Sequence, residues 1–166
     1  MRLVRMFIVL AIAMLVPAAV ALAVAPTSVT QSGGLHFVGT PDVTATKTST
    51  SAFLTATGEV AGAGTTATAT LSANAEVTRG CINRGSKDQE PSGLQTTTTV
   101  TSGTQTFNTR AGRGTFNVST QPITTAGFTC PDQMTPVLVS VTFTDVTLTI
   151  TSGPKTLTAT FPDIDP

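Results

Sequence analysis

The sequence predicts an all-β protein, a single antiparallel β-sandwich of about 8–10 strands with one disulfide bond. Apolar and polar residues alternate in several segments, and turns rich in glycine and proline separate those segments. After the first 23 residues, no segment repeats its apolar residues at the helical period. A closed antiparallel β-barrel is the alternative that the same pattern leaves open.

The N-terminal segment predicts export. Residues 1–23 contain two arginines, then an apolar stretch, then the small residues Ala21 and Ala23 at the positions that signal peptidase selects. Cleavage after Ala23 would release residues 24–166 as a secreted β-sandwich domain without stable membrane insertion. Cleavage after Ala25, or retention of the segment as a membrane anchor, is the alternative.

Composition narrows the possible partners. The formal net charge is +0, and removal of the two signal arginines leaves seven cationic residues against nine acidic ones, a net charge of −2. A nucleic-acid partner is therefore not expected. The chain has 36 threonines, which alternate with apolar residues as in a folded β domain rather than a mucin-like stalk.

The segment Ala67–Val77 shows the alternation most clearly, with every odd residue apolar and every even residue polar. Further strands are predicted at 35–40, 42–48, 94–101 and 115–120. Symmetric pairing around the turns 61–64, 111–112 and 153–154 predicts three hairpins. The apolar pairs expected in them are Leu54 with Leu71, Ala56 with Ala69, Phe107 with Phe116, Ile150 with Leu157, Leu148 with Ala159 and Val146 with Phe161.

The strand before the last hairpin changes phase. Val141 and Phe143 are odd-numbered, whereas Val146 and Leu148 are even-numbered. One extra residue near 144–145 would return both sets to one face, which predicts a β-bulge. A strand that passes from one sheet to the other at this point is the alternative.

The two cysteines, Cys81 and Cys130, are expected to form a disulfide bond, because an exported chain meets an oxidising environment. Two isolated cysteines and a single histidine do not complete a zinc site. No cofactor and no metal centre are predicted. A weak Ca²⁺ site is left open for the carboxylates of Asp163 and Asp165 with Asp42 or Asp145.

Two polar regions are the candidate partner-binding sites. The segment Arg79–Gly93 concentrates charge and would be tied down by Cys81. A second candidate is the turn near 111–112, where two arginines would face each other across a hairpin tip. The candidate partner-binding residues are Arg84, Lys87, Asp88, Glu90, Arg110 and Arg113. Threonine ladders such as Thr44–Thr46 and Thr147–Thr149 could bind ice on a flat array, but no fixed period is present.

The signal segment, the turn Gly80–Gly85, the sequence Thr129–Pro131 and the ending Leu157–Pro166 resemble small secreted β-rich proteins of actinobacteria. The resemblance implies secretion and a disulfide bond, and it implies no activity.

These observations predict a secreted, non-enzymatic structural or interaction module. Its partner would be an extracellular protein or a component of the cell envelope. No catalytic triad motif or framed pair of carboxylates points to an enzyme. The alternatives are a carbohydrate-binding module, although the chain has no Trp or Tyr to stack on sugars, and an adhesin-like domain of the cell envelope.

Overall fold

The computed structural model describes residues 22–83 and 90–166, which form an all-β structure of eleven strands in two antiparallel sheets. Most of the predicted signal segment therefore lies outside the described residues. The strands are β1 (Leu22–Val24), β2 (Ser28–Gln31), β3 (His36–Phe37), β4 (Asp42–Lys47), β5 (Ser51–Ala61), β6 (Thr66–Asn83), β7 (Ser92–Asn108), β8 (Gly114–Ser119), β9 (Ile123–Thr124), β10 (Met134–Ser152) and β11 (Lys155–Thr160).

The two sheets are stacked as a sandwich and are not closed into a barrel. Sheet A contains β1, β3, β4, β5, β8 and β9, with β5 at its centre. Sheet B has the order β2-β11-β10-β6-β7, and its three longest strands have 17 to 19 residues. The predicted sandwich is therefore confirmed over the described residues.

The core lies between the inner faces of the two sheets. The odd residues of Ala67–Val77 are buried, as the alternation predicts, because β6 places them all on the inner face. Phe143 is fully buried at the centre of this layer. Many of the inward residues are alanine and valine, so phenylalanine and leucine from neighbouring strands fill the space between the sheets.

One predicted hairpin is confirmed and two are wrong in their strand pairing. In β10–β11, Ile150 pairs with Leu157 and Leu148 pairs with Ala159. The backbone N–H of Phe161 also donates to the carbonyl of Val146 at 2.9 Å.

The first predicted hairpin, between β5 and β6, does not form. Leu54 pairs with Ala45 in sheet A, whereas Leu71 pairs with Leu148 in sheet B. The chain crosses from one sheet to the other through residues 62–65, so Ala56 and Ala69 also lie in different sheets. The apolar residues of β5 and β6 line up in a symmetric pairing even though the strands are not partners. They do so because both strands point apolar residues into the same core, from opposite sheets.

The second predicted hairpin exists only at its tip. Phe107 lies on β7 in sheet B and Phe116 lies on β8 in sheet A, so they are not ladder partners. Their rings nevertheless pack across the sandwich with centroids 6.1 Å apart. The chain changes sheets here as well, since only Arg110 and Arg113 pair across the turn.

The predicted β-bulge in β10 is confirmed. The register with β6 shifts between Thr144 and Thr147, and both halves of β10 remain paired with β6. Asp145 has a φ of 52°, a conformation that side chains seldom adopt outside such irregularities. The bulge keeps Phe143 and Val146 on the same buried face.

The predicted disulfide is also confirmed. Cys81 near the end of β6 is bonded to Cys130, with a Cα–Cα distance of 5.7 Å and a sequence separation of 49. Cys130 lies in the segment between β9 and β10. The bond therefore fixes that segment against the end of sheet B.

Strand β7 has two halves with different surroundings. The covered half, Thr101–Asn108, alternates between buried or half-buried and exposed residues because sheet A lies opposite it. In the free half, Ser92–Val100, all nine residues are exposed. The free half is held to the sandwich by its ladder with β6.

Candidate functional site

The polar loop predicted at Arg79–Gly93 is shorter in the structure, because strands occupy both of its ends. Arg79 and Cys81 belong to β6, and Ser92 begins β7, because the two strands continue as a hairpin past the predicted loop boundaries. The candidates Arg84, Lys87 and Asp88 fall within 84–89, outside the described residues. Glu90, the fourth candidate of this loop, is exposed.

Arg79, which was placed in that loop, faces the inner side of sheet B. Its Nη1 donates to Oγ1 of Thr97 at 2.8 Å, and its Nε donates to the carbonyl of Thr124 at 3.1 Å. The guanidinium thus connects β7 to the segment after β9. Two depressions of about 190 and 210 Å³ adjoin at Arg79 and Ala126. Both are below the roughly 300 Å³ at which small-molecule sites begin, whereas a wide, open depression of about 560 Å³ lies at the hairpin tip of Arg110 and Arg113.

The candidates Arg110 and Arg113 do face each other across a two-residue turn, as predicted. Ala111 and Gly112 have φ values of 51° and 78°, the combination that closes tight hairpins. Nε of Arg113 lies 2.8 Å from Oε1 of Glu59. Because Glu59 neutralises Arg113, the tip is not a pair of unbalanced cations, which weakens it as a binding site for an anionic partner.

The outer face of sheet B carries aligned rows of hydroxyl side chains. The ladder registers place one complete row of threonines across all five strands: Thr30, Thr158, Thr149, Thr70 and Thr104. The next row also contains only hydroxyl residues: Ser28, Thr160, Thr147, Ser72 and Ser102. A third row crosses four strands: Thr156, Thr151, Thr68 and Thr106. These fourteen residues are called the hydroxyl face below.

Neighbouring hydroxyls on this face are close enough to interact. The Oγ atoms of Ser28 and Thr160 are 2.6 Å apart, and those of Thr70 and Thr104 are 3.3 Å apart. None of the fourteen residues is buried. Each hydroxyl supplies one donor and two acceptor positions, and each threonine adds a methyl group. The face is therefore a neutral array of hydrogen-bonding groups on a rigid sheet.

The Thr-x-Thr ladders were the sequence signal for this face. They predict hydroxyls along one strand, but the alignment of rows across strands depends on the registers of four ladders. Two of these ladders, β10 with β6 and β11 with β2, join strands that are distant in sequence. The two five-residue rows exist because four separate ladders agree.

Other chemistry is sparse in the described part of the chain. His36 is exposed, and its Nδ1 lies 3.0 Å from the carbonyl oxygen of Gly34. Across residues 22–83 and 90–166, no group of three His, Cys, Asp or Glu side chains is placed to hold a metal ion. The same residues include no helix with the length and apolar character needed to cross a membrane.

Comparisons of the whole chain give no relative from which a role could be transferred. No family model, no curated protein and no solved structure matches it.

Proposed function

We propose that this protein is a secreted, non-enzymatic interaction module that docks through its hydroxyl face. Two supports for secretion are the signal-like residues 1–23 and the Cys81–Cys130 bond, which suits an oxidising compartment. The observation on which the docking surface rests is the run of two serine and threonine rows across all five strands of sheet B.

The chemistry of the face favours a neutral, hydroxyl-rich partner. Fourteen uncharged hydroxyl groups offer donors and acceptors without attracting ions of either sign. A sheet keeps its hydroxyls in fixed positions, which lowers the side-chain entropy lost on binding. Threonine is β-branched and stiff, so the array is more rigid than one built from long polar side chains. An insoluble polysaccharide of the cell envelope carries many neutral hydroxyl groups, which can donate to and accept from the hydroxyls of this face.

The test measures co-sedimentation of the secreted protein with insoluble peptidoglycan and with microcrystalline cellulose. The double variant Thr70→Arg/Thr149→Glu interrupts the central row at a cross-strand pair. The matched control, Thr44→Arg/Thr55→Glu, makes the same change at a cross-strand pair on the outer face of sheet A. Loss of binding in the first variant and normal binding in the control would support the proposal.

Binding through neutral hydroxyls should also change little with salt, because few counterions are displaced. Failure of the unaltered protein to sediment with either polymer would overturn the polysaccharide assignment. Equal loss in both double variants would remove the hydroxyl face as the site. Inhibition of ice recrystallisation that depends on Thr70 and Thr149 would replace the polysaccharide with ice.

A further inference from the structure

The free half of β7, Ser92–Val100, is the exposed edge of sheet B. Strand β6 pairs with one side of β7, and within residues 22–83 and 90–166 no strand pairs with its other side. Natural sheets protect such edges with charged residues, proline or short strand length. From Leu94 to Thr101 this edge has neither a charged residue nor a proline.

The backbone directions along this edge follow from two hydrogen bonds. The N–H of Thr109 donates to the carbonyl of Thr65 at 3.0 Å, so over Gln95–Thr109, where the register with β6 is unbroken, the odd residues point their backbone groups toward β6. The even residues point theirs outward. Gln121 confirms the direction, because its N–H donates to the carbonyl of Ser102 at 3.0 Å from the outer side.

The outward groups of Thr96, Thr98 and Val100 are therefore available for another strand. Gln121 occupies the edge at Ser102, and the strand begins at Ser92. The available stretch between these two limits is centred on Thr97.

The exposed apolar residues of this edge are also placed symmetrically about Thr97. Leu94 and Val100 are 60% and 74% exposed, and with Val29 they are the exposed large hydrophobic residues of the described chain. They lie three residues on either side of Thr97. Val100 lies on the outer face, and a Cβ on Gly80, an outer-face position of β6, would be 3.0 Å from Cδ2 of Leu94, which places Leu94 on the same face. An antiparallel copy of the same strand centred on Thr97 would set Leu94 opposite Val100 of the partner subunit.

We propose that two copies of this protein pair through the free halves of β7, antiparallel and centred on Thr97. In this register even residues meet even residues, so the outward N–H and C=O groups of the two strands bond to each other. The two apolar cross-strand pairs would cover Leu94 and Val100 in both copies. The edge is uncharged, so no like-charge repulsion opposes the pairing.

The symmetric pair would be one continuous sheet of ten strands. Because the two-fold axis is perpendicular to the sheet, both hydroxyl faces would lie on the same side. This inference goes beyond the proposed function and does not depend on it, since self-association is measured without any polysaccharide.

The first test measures the mass of the purified secreted protein by sedimentation velocity over a range of concentrations. We expect a monomer–dimer equilibrium. Thr98→Pro removes an outward N–H and leaves the β6 ladder intact, since the N–H of Thr98 points away from β6. It should raise the dissociation constant by about tenfold or more. A monomer at every concentration, or a dimer unaffected by Thr98→Pro, would overturn the proposal.

The second test fixes the register. A cysteine at position 97 would meet its own copy across the two-fold axis at about 4.5 Å between Cα atoms, within the range of a disulfide bond. A cysteine at position 99 would lie opposite Gln95 of the partner subunit and should not cross-link. Covalent dimers of Thr97→Cys without those of Thr99→Cys would support the proposed register. Equal cross-linking, or cross-linking of Thr99→Cys alone, would refute it.

Discussion

The two halves of β7 have similar composition and different environments. Both halves are rich in threonine and serine, and both pair with β6. In the covered half, Thr101 is buried because sheet A lies opposite, and its Oγ1 donates to the carbonyl of Gln121 at 2.7 Å. In the free half, Thr99 is exposed on the same inner face. The burial of a β-strand residue is thus decided by the layer across from it more than by its own sequence.

The largest expected effect lies in the core between the two sheets, in contrast to the exposed free half of β7. Phe143 is fully buried, so Phe143→Ala should lower the free energy of unfolding by about 3–5 kcal/mol. Val100→Ala in the free half should change it by less than about 0.5 kcal/mol, since that side chain already lies in solvent. Urea denaturation of both variants measures the difference. At concentrations where the protein is monomeric, similar losses for the two would show that another part of the chain covers Val100.

The second largest loss of stability is expected from removal of the disulfide bond. Replacing both cysteines with serine removes the Cys81–Cys130 bond and should cost about 2–4 kcal/mol, because the unfolded chain regains the freedom of a loop that spans 49 positions. Denaturation with the bond intact and after replacement gives the value. Unchanged stability would mean that the segment before β10 is held by other contacts, such as those of Arg79.

A smaller effect is expected at Gly103, in the covered half. A Cβ there would overlap the backbone carbonyl of Ser119, so the sheets must separate locally in Gly103→Ala. The expected loss is about 1–3 kcal/mol. Ser102→Ala, the neighbour on the outer face, is the control and should stay within about 0.5 kcal/mol. A neutral Gly103→Ala would mean that the sheets are not this close.

Ser152 tests the crossing between the sheets. Its Oγ accepts from the N–H of Gly64 at 2.8 Å and donates to the carbonyl of Thr66 at 2.7 Å, in a buried position. Ser152→Ala leaves both backbone groups without this partner and should cost about 1–3 kcal/mol. Ser140→Ala, at an exposed position of the same strand β10, is the control. Equal and negligible changes would show that water replaces the hydroxyl.

Sequence alternation predicted the buried faces well and strand partners less well. The phase change in β10 correctly predicted a bulge that keeps Phe143 and Leu148 on one face, and that face is buried. Periodicity identifies the face that is buried, because it depends only on the strand itself. It does not separate a ladder partner from a strand facing across the core, which is why Leu54 and Leu71 were paired wrongly.

The hydroxyl face and the free half of β7 were harder to predict from the sequence than the core. The hydroxyl face depends on agreement among four ladders, and two of them join strands far apart in the chain. The exposure of the free half of β7 depends on where sheet A ends relative to sheet B. Of the charged candidates, Arg84, Lys87 and Asp88 lie outside the described residues, and Arg113 is neutralised by Glu59, a neighbour that the sequence did not predict.

Residue-resolved hydrogen exchange along β7 tests most directly whether its free half is an unpaired edge on a paired strand. In dilute solution the outward amides of Thr96, Thr98 and Val100 should exchange rapidly. The inward amides of Thr97 and Thr99 should be protected by the ladder with β6. Equal protection of both sets in the monomer would mean that another part of the chain covers the edge, and equal rapid exchange would mean that the free half is not paired with β6. Either result would contradict this account of β7.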